Sequence, residues 1–296
     1  MSASITPVGG GRYILLKNIT DKVIMANGSA IHPGHAITIP EDNIHNLPAG
    51  LVSIDYGRPI DTSTSIIPSM EEPYEILTSV VIPTYNRTEY LRECVNSIAP
   101  QMDNNVEIII VDDYSEEDIV ILGDNTRYIR MPERSGIAKS RNMGVSISKA
   151  RGIIEIDSDD LMLPGAIEEI TAALDDCDFV FSHIEEFSGD ERRVNYRSAY
   201  RPGIFFAGSH TYGIRAYRRS VWRAIGGHNE ELPAAVDLDF SIRAEEAGAR
   251  FQRIDKILAS YRIHDGQVSQ SMRETQKACA RKIIREAKER RENADY

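Results

Sequence analysis

From residue 76 onward, runs of consecutive apolar residues alternate with longer stretches in which apolar residues recur every three or four positions. The runs at 76–82, 106–111, 128–131, 153–156 and 179–181 have the length of strands buried on both faces. Helical spacing marks residues 89–98, 137–150 and 166–174, and an acidic helix is expected in the polar segment after residue 113. This alternation predicts an α/β fold, a mainly parallel sheet flanked by helices. Ahead of it, β-type runs at 13–16, 22–25, 36–39 and 51–55 are separated by turn pairs such as Asn27-Gly28 and Pro33-Gly34. The polar, proline-containing stretch 61–73 has the composition of a linker. The expected organisation is a small β-rich N-terminal domain with linker (1–75), the α/β domain (76–268) and a C-terminal helical tail (269–296).

In parallel sheets ligands bind beyond the carboxyl ends of the strands, so the polar residues that follow each run are the ones to inspect. They are Pro83, Thr84, Tyr85 and Asn86 after the first, Asp112 and Asp113 after the second, and Asp157-Ser158-Asp159-Asp160 after the fourth. Clustered carboxylates repel one another and need a cation or a proton to be buried together. A divalent ion with oxygen ligands would satisfy the last cluster and could hold a diphosphate at the same time. The competing reading is a solvated acidic turn that complements the dipole of a helix starting near Pro164.

Composition narrows the possibilities. The 296 residues are 42% hydrophobic and 27% charged, the range of a soluble globular chain. The formal net charge of −11 argues against a nucleic-acid partner, whose binding rests on Lys and Arg displacing counterions. Apolar runs fall far short of the roughly 20 residues a membrane-spanning helix needs, and the N-terminus lacks the basic start and apolar core of a signal peptide. Cys94, Cys177 and Cys279 are widely spaced, offering neither a disulfide framework nor a C-x-x-C metal pattern. These features point to a cytoplasmic protein whose cysteines are packing residues.

Three motifs in register carry a family resemblance: Ser79-Val80-Val81-Ile82-Pro83-Thr84-Tyr85-Asn86-Arg87, then Ile108-Ile109-Ile110-Val111-Asp112-Asp113-Tyr114-Ser115, then Ile156-Asp157-Ser158-Asp159-Asp160. Their order and spacing closely resemble the inverting family 2 glycosyltransferases of the GT-A, Rossmann-like fold, over roughly residues 78–265. The resemblance implies a metal-dependent inverting transfer of a sugar from a nucleotide-sugar, a UDP-sugar being the commonest donor, to a hydroxyl of a glycan or other acceptor. It implies that Pro83, Thr84, Tyr85, Asn86 and Asp113, with Asp112 adjacent, hold the nucleoside. The stretch from Arg134 through Gly136 to Arg141 matches the helix opening that faces the nucleotide, where a glycine permits close approach and a helix N-terminus suits an anion.

For the D-x-D motif, the resemblance assigns Asp157 to the ribose and metal region, with Ser158 beside it, and Asp159 to direct ligation of Mn²⁺ or Mg²⁺; Asp160 would act as a supporting partner. It also implies that His264, after the last strand, returns to the metal. The segment 226–243 resembles the acceptor-side motif, with Asp237 as the base and Val236 where the family usually has glutamate. Read without the resemblance, Asp237 is a helix N-terminal residue complementing the dipole, and Asp239 and Arg243 an i,i+4 pair.

Two other classes stay in view. A nucleotidyltransferase would carry a Gly-rich basic loop after the first strand, which residues 83–87 are not; a non-catalytic sugar- or nucleotide-binding relative is suggested by Val236 but has little reason to keep Asp157, Asp159 and Asp237 together. Residues 185–210, where acceptor choice should lie, carry no readable motif. The basic stretch 275–293 reads either as a peripheral membrane helix or, with its interspersed glutamates, as a solvated face docked through Ile283, Ile284 and Ala287. Nothing in the sequence speaks to oligomeric state.

Overall fold

The computed structural model describes residues 76–117, 119, 125–267 and 272–294, together with the backbone of five short strands in the first 75 residues. Those strands are β1 (Tyr13–Asn18), β2 (Ile24–Ala26), β3 (Ser29–Ile31), β4 (Ala36–Pro40) and β5 (Leu51–Ser53). Strands β4, β1 and β5 form an antiparallel sheet in that order, and β2 pairs with β3. The linker expected at 61–73 lies outside the described residues.

The main sheet has nine strands. Its core consists of β6 (Ile76–Thr84), β7 (Val106–Asp112), β8 (Thr126–Arg130) and β9 (Ala150–Ile156), all parallel. Strand β13 (Ile214–Arg218) runs antiparallel between β9 and β11 (Phe179–Ser188), and β11 pairs in parallel with β14 (Phe251–Arg262). Two short strands, β10 (Leu161–Met162) and β12 (Glu191–Asn195), run against β14 and β11. Thus β6, β7, β8, β9, β11 and β14 share one direction, and the expected mainly parallel α/β sheet is what forms.

Burial on both faces explains why these runs are mostly apolar. Every residue of β7 is buried, because one face points to the core with Ile108 and Ile110 and the other to the core with Ile109 and Val111. The first core is covered by α1 (Thr88–Ile98), through Leu91, Cys94, Val95 and Ile98, and by α3 (Ala166–Asp176), through Ile167, Ile170 and Leu174. The second is covered by α2 (Ile137–Ile147), by α5 (Val236–Glu246) through Leu238, Phe240 and Ile242, and by Val221 of the short α4 (Arg219–Ala224). Fully burying each such aliphatic side chain stabilises the fold by about 1.5–3 kcal/mol before the entropy of ordering it is counted.

The last helix, α6 (Arg273–Ala294), docks on this second core through Ile283 and Ala287, while Arg290 and Arg291 pair with Glu246 and Glu245 of α5. Lys277, Lys282 and Arg285 remain largely solvated. The docking expected through Ile283, Ile284 and Ala287 is therefore present. Among the described residues no helix is long and apolar enough to cross a membrane. All three cysteines are free, with Cys94 and Cys177 buried.

Local differences from the sequence reading have physical causes. Helix α2 ends at Ile147, three residues short of the periodic pattern, because Ala150 already begins β9. Residues 113–117 form an irregular segment with bends where an acidic helix was expected to begin, and 118 and 120–124 lie outside the described residues. Strand β11 continues well past the apolar run at 179–181, because residues 184–187 are paired on both sides, with β12 and with β14.

What positions the site is the order of the core strands. Chain order runs β6 to β7 to β8 on one side and then returns to β9 on the other side of β6, so the sheet has its switch point at β6. In sheets of this kind the ligand crevice lies beyond the carboxyl ends at that point, which is where the residues after β6, β7 and β9 gather.

Candidate functional site

On the β6–β7 side of the crevice two loops lock together. Asn86 adopts a left-handed conformation (φ 49°), its backbone N–H donates to Ser115 Oγ at 2.8 Å, and its side-chain oxygen accepts the Glu116 N–H at 2.8 Å. Fully buried Asp112 accepts from the Ser115 N–H at 2.9 Å and from the Tyr128 hydroxyl at 2.7 Å. Asn86 and Asp112, expected at the nucleoside, use their side chains to bind the two loops to each other. Pro83 and Thr84 are buried at the strand end, and Thr84 Oγ1 has no hydrogen-bond partner. Tyr85 is half-buried, with the Arg134 guanidinium stacked 4.0 Å from its ring centroid, which ties the two expected nucleoside contacts to each other.

Asp113 spans the crevice mouth. Its two carboxylate oxygens accept the N–H groups of Ser135 (2.6 Å) and Gly136 (2.8 Å) at the start of α2. Burial pushes its pKa up, against these two hydrogen bonds and the nearby Arg134 charge. A carboxylate has about four lone-pair sites, so capacity for a further N–H donor remains. Gly136 has φ 88°, a conformation few other residues adopt, and a Cβ built on it would meet nothing within 4 Å. The glycine is required by the turn's backbone, and open space lies on its free side.

Arg141 departs from the sequence reading. It was expected to face an anion with the α2 N-terminus, yet its side chain is only 2% exposed and points under the site. Nη2 donates to Asp157 Oδ1 at 2.6 Å and Nη1 to Asp237 Oδ1 at 2.5 Å. One turn into α2, the side chain of residue 141 projects toward the sheet and not along the helix axis, so it meets the carboxylates at the ends of β9 and α5.

The turn after β9 carries the acidic cluster. Ser158 is buried within it, and Asp160 N–H closes the turn on Asp157 O at 3.0 Å. Asp159 Oδ2 pairs with Arg87 from the β6 loop and lies 3.0 Å from His264 Nε2. The late histidine therefore does return to the D-x-D motif, as β14 runs parallel to β11 and delivers residue 264 to the same edge. Arg87 also donates to Gly266 O at 3.0 Å, joining both loops across Asp159. Asp160 Oδ1 accepts the Arg262 N–H at 2.9 Å, while its Oδ2 is buried without a partner. Burial, then the charges of Asp159 and Asp157, push the Asp160 pKa well up.

Asp237 sits at the second position of α5, two residues after Ala235, a non-glycine residue in left-handed conformation (φ 59°). Its Oδ1 is bound by both Arg141 and Arg215, and the side chain is a quarter exposed. Burial raises its pKa, but Arg215 and Arg141 outweigh that and hold the carboxyl below the ordinary value. The i,i+4 pair Asp239–Arg243 is present as well, at 2.6 Å.

Beneath Asp237 lies a group that motif reading missed. Arg215 and Glu155 are fully buried, and Glu155 Oε1 accepts from the Tyr217 hydroxyl and lies 2.6 Å from His228 Nε2. Glu155 Oε2 stands 3.7 Å from both Arg141 and Arg215. Burial opposes ionisation of Glu155, and His228 with the two guanidinium groups overrides it, so the carboxylate is held far below its usual range. A signal existed: a glutamate inside the apolar run at 153–156 and an arginine in β13 between Ile214 and Ala216 are charges that a buried strand retains only when paired.

The acceptor-side motif is anchored to α2. Asn142 accepts from the Trp222 indole (2.9 Å) and the His228 N–H (2.8 Å) and donates to His228 O (2.9 Å). Gly227 (φ 78°) is needed here, since a Cβ would stand 2.7 Å from Asn142 Oδ1 and 2.9 Å from Trp222 Nε1.

The mainly parallel sheet carries an Asp157-Ser158-Asp159 turn after β9, and Asp157 and Asp237 share the Arg141 guanidinium. The chain belongs to glycosyl transferase family 2, whose family model matches residues 79–229. Among its relatives are glycosyltransferase GlyG of Streptococcus pneumoniae, 40% identical over 101 residues that make up 32% of this chain and 34% of GlyG. The chondroitin synthase of Pasteurella multocida is 27% identical over 74% of this chain, an alignment covering only 24% of that larger protein. An uncharacterized glycosyltransferase of Bacillus subtilis, YwdF, is 30% identical over 65% of this chain and 76% of its own. The fold is shared with Staphylococcus aureus TarS, solved in complex with UDP-GlcNAc: TM-score 0.55, 22% identity, 65% of this chain and 60% of that one.

Proposed function

We propose that the protein transfers a sugar from a nucleotide-sugar, a UDP-sugar in the first instance, to a hydroxyl of a glycan or other acceptor with inversion of the anomeric centre, assisted by Mn²⁺ or Mg²⁺. The observation that carries this reading is that one buried guanidinium, Arg141, binds both the D-x-D aspartate Asp157 and the acceptor-side Asp237, at 2.6 and 2.5 Å. Donor-side and acceptor-side carboxylates are thereby held on opposite flanks of a single rigid group. TarS, a structural neighbour, is described in complex with UDP-GlcNAc and with UDP, which supports a uridine diphosphate donor.

The donor set suits a hard divalent ion. Asp159 Oδ2 and His264 Nε2 are 3.0 Å apart, the spacing of adjacent ligands at about 2.1 Å from one octahedral ion. Among the described residues no three His, Cys, Asp or Glu side chains converge as a metal cage, so substrate phosphates and water would complete the sphere. Such an ion, when bound, neutralises charge on the diphosphate.

The chain's own residues do the rest. Asp113 presents a carboxylate to the N–H of a uracil ring beside Tyr85. Arg141 and Arg215 fix Asp237 Oδ1, which leaves Oδ2 to take the proton of the acceptor hydroxyl. As the oxygen–carbon bond forms on one face of the sugar, the bond to the diphosphate breaks on the other. The lowered pKa keeps Asp237 ionised at neutral pH, and its weak basicity suffices because the hydroxyl proton becomes acidic only as the new bond develops. The cytoplasm is the proposed setting.

Calorimetric titration of UDP with and without Mn²⁺ or Mg²⁺, on the wild type and on Asp159→Ala, tests the donor site. Metal-dependent binding lost in the variant is expected and leads to a screen of UDP-sugars for hydrolysis; no UDP binding under any metal condition overturns the uridine assignment.

A further inference from the structure

Arg197 has no role in the site as described, and its surroundings are unusual. It is only 7% exposed, makes no ion pair among the described residues, and its Nε and Nη2 are buried without hydrogen-bond partners. The guanidinium stacks 3.7 Å from the ring centroid of Tyr212. Glu186, which shares Tyr212 with it, is committed elsewhere: its Oε1 accepts from Asn195 at 2.8 Å and from the Tyr212 hydroxyl at 3.1 Å. The Arg197 backbone is held in place, its N–H donating to His183 Nδ1 at 2.9 Å and its carbonyl accepting from Arg253 at 2.8 Å. A buried cation without a counter-charge costs stability, and stacking on one aromatic ring offsets only part of that cost.

Its position relates it to the acceptor side. Tyr212 packs edge-on against Tyr261, 5.2 Å away, one residue before Arg262 whose N–H binds Asp160. Thr211 Oγ1 lies 3.0 Å from Ser241 Oγ, which donates to Asp237 O at 2.8 Å. Two residues beyond Tyr212, Ile214 pairs with Ile156, the residue before Asp157. The segment from Thr211 to Gly213 is thus a wall shared between the carboxylates of the site and the Arg197 side chain. On the same segment Ser209 Oγ is also buried without a partner, and half-buried His210 is held below its ordinary pKa by burial and by the Arg197 charge. The His210 imidazole thus lies within the field of the Arg197 charge, and Ser209, its neighbour in the chain, has a hydroxyl free to bind a ligand.

We propose that Arg197, with Ser209 and His210, is a subsite for an anionic group, carboxylate or phosphate, carried by the acceptor next to the hydroxyl that receives the sugar. This rests on the glycosyl-transfer reading and extends it by giving the acceptor a charge. Guanidinium groups bind both anions through paired N–H donors, and hydrogen bonds to a charged group in a water-poor site are strong enough to set a preference of about tenfold or more.

The test is binding of matched pairs by calorimetry to the full chain: methyl β-glucuronide against methyl β-glucoside, and glycerol 3-phosphate against glycerol. The expected result is at least a tenfold tighter Kd for one anionic member over its neutral counterpart, erased in Arg197→Gln and partly kept in Arg197→Lys. Which pair shows the preference distinguishes a carboxylate from a phosphate. Equal affinity within both pairs on the wild type, which requires no variant, overturns the proposal; so does a preference that survives in a folded Arg197→Gln. The UDP titration on the same wild-type protein keeps the two readings apart. UDP binding without anion preference removes only the subsite, whereas anion preference without UDP binding removes the donor assignment.

Discussion

Each end of the central sheet buries a glutamate. At the amino end, Glu107 accepts from Ser79 Oγ and from the Lys149 N–H on Oε1 and pairs with Arg127 at 2.8 Å through Oε2, so both oxygens are satisfied. At the carboxyl end, Glu155 concentrates its bonds on Oε1 and leaves Oε2 without a hydrogen bond, facing Arg141 and Arg215 at 3.7 Å. The same residue type in strands of one sheet therefore serves two purposes. A saturated network closes the bottom of the fold; an incompletely saturated one at the ligand edge keeps guanidinium charge available to Asp237 and Asp157.

The sharpest way to separate the two ends is to remove the proposed base. Asp237→Asn should lower kcat by about 10²–10⁴ in steady-state turnover while leaving metal-dependent UDP binding in place, a loss with no parallel at the amino end. Arg215→Met comes next. Taking one partner from a fully buried ionic group should cost about 3–5 kcal/mol in denaturant unfolding. It should also move the acid limb of the kcat/KM profile to higher pH, because Asp237 loses a cation that depresses its pKa. A merely structural Arg215 would not shift that limb.

Smaller still is Glu107→Gln, expected to cost about 1–3 kcal/mol of stability without changing UDP affinity. A drop in UDP affinity would show that the ends are coupled. The smallest effect is the pH dependence of Asp237 itself. Its folded pKa lies below the ordinary 3.8, so it contributes stability that is complete above that value and is lost as pH falls through the folded value. The difference in unfolding free energy between wild type and Asp237→Asn should therefore stay constant above about pH 5 and shrink as pH falls below about 4.

Much of this architecture was legible beforehand because local patterns report local requirements. The mostly apolar runs of β6, β7 and β9 read as strands covered on both faces, and Thr84, Asp112 and Asp157 had to emerge at one edge once those strands were parallel. Residues of one turn, such as Asp157 to Asp160, are neighbours by covalent connection. The long strands β11 and β14 were harder, since Glu185, Lys256 and Tyr261 interrupt any simple pattern where the strands reach an edge or the crevice.

What only the tertiary structure decided is which charge meets which. Arg141 read as an anion ligand at a helix N-terminus, and its 96-residue-distant contact with Asp237 reassigns it to the frame beneath the site. The sequence marks Glu155 and Arg215 as charges in need of partners, but that Arg215 meets Asp237, His228 meets Glu155, Arg87 meets Asp159 and Arg197 stacks on Tyr212 is not written near them. The physical reason is that hydrophobic period encodes which face of an element is buried, a property of neighbouring residues, whereas an ion pair depends on where two distant faces come to rest. The sequence alone determined the sheet, its direction and the edge where chemistry gathers; the packing of α2, α5, β13 and the segment 196–213 against that edge determined which side chains do it.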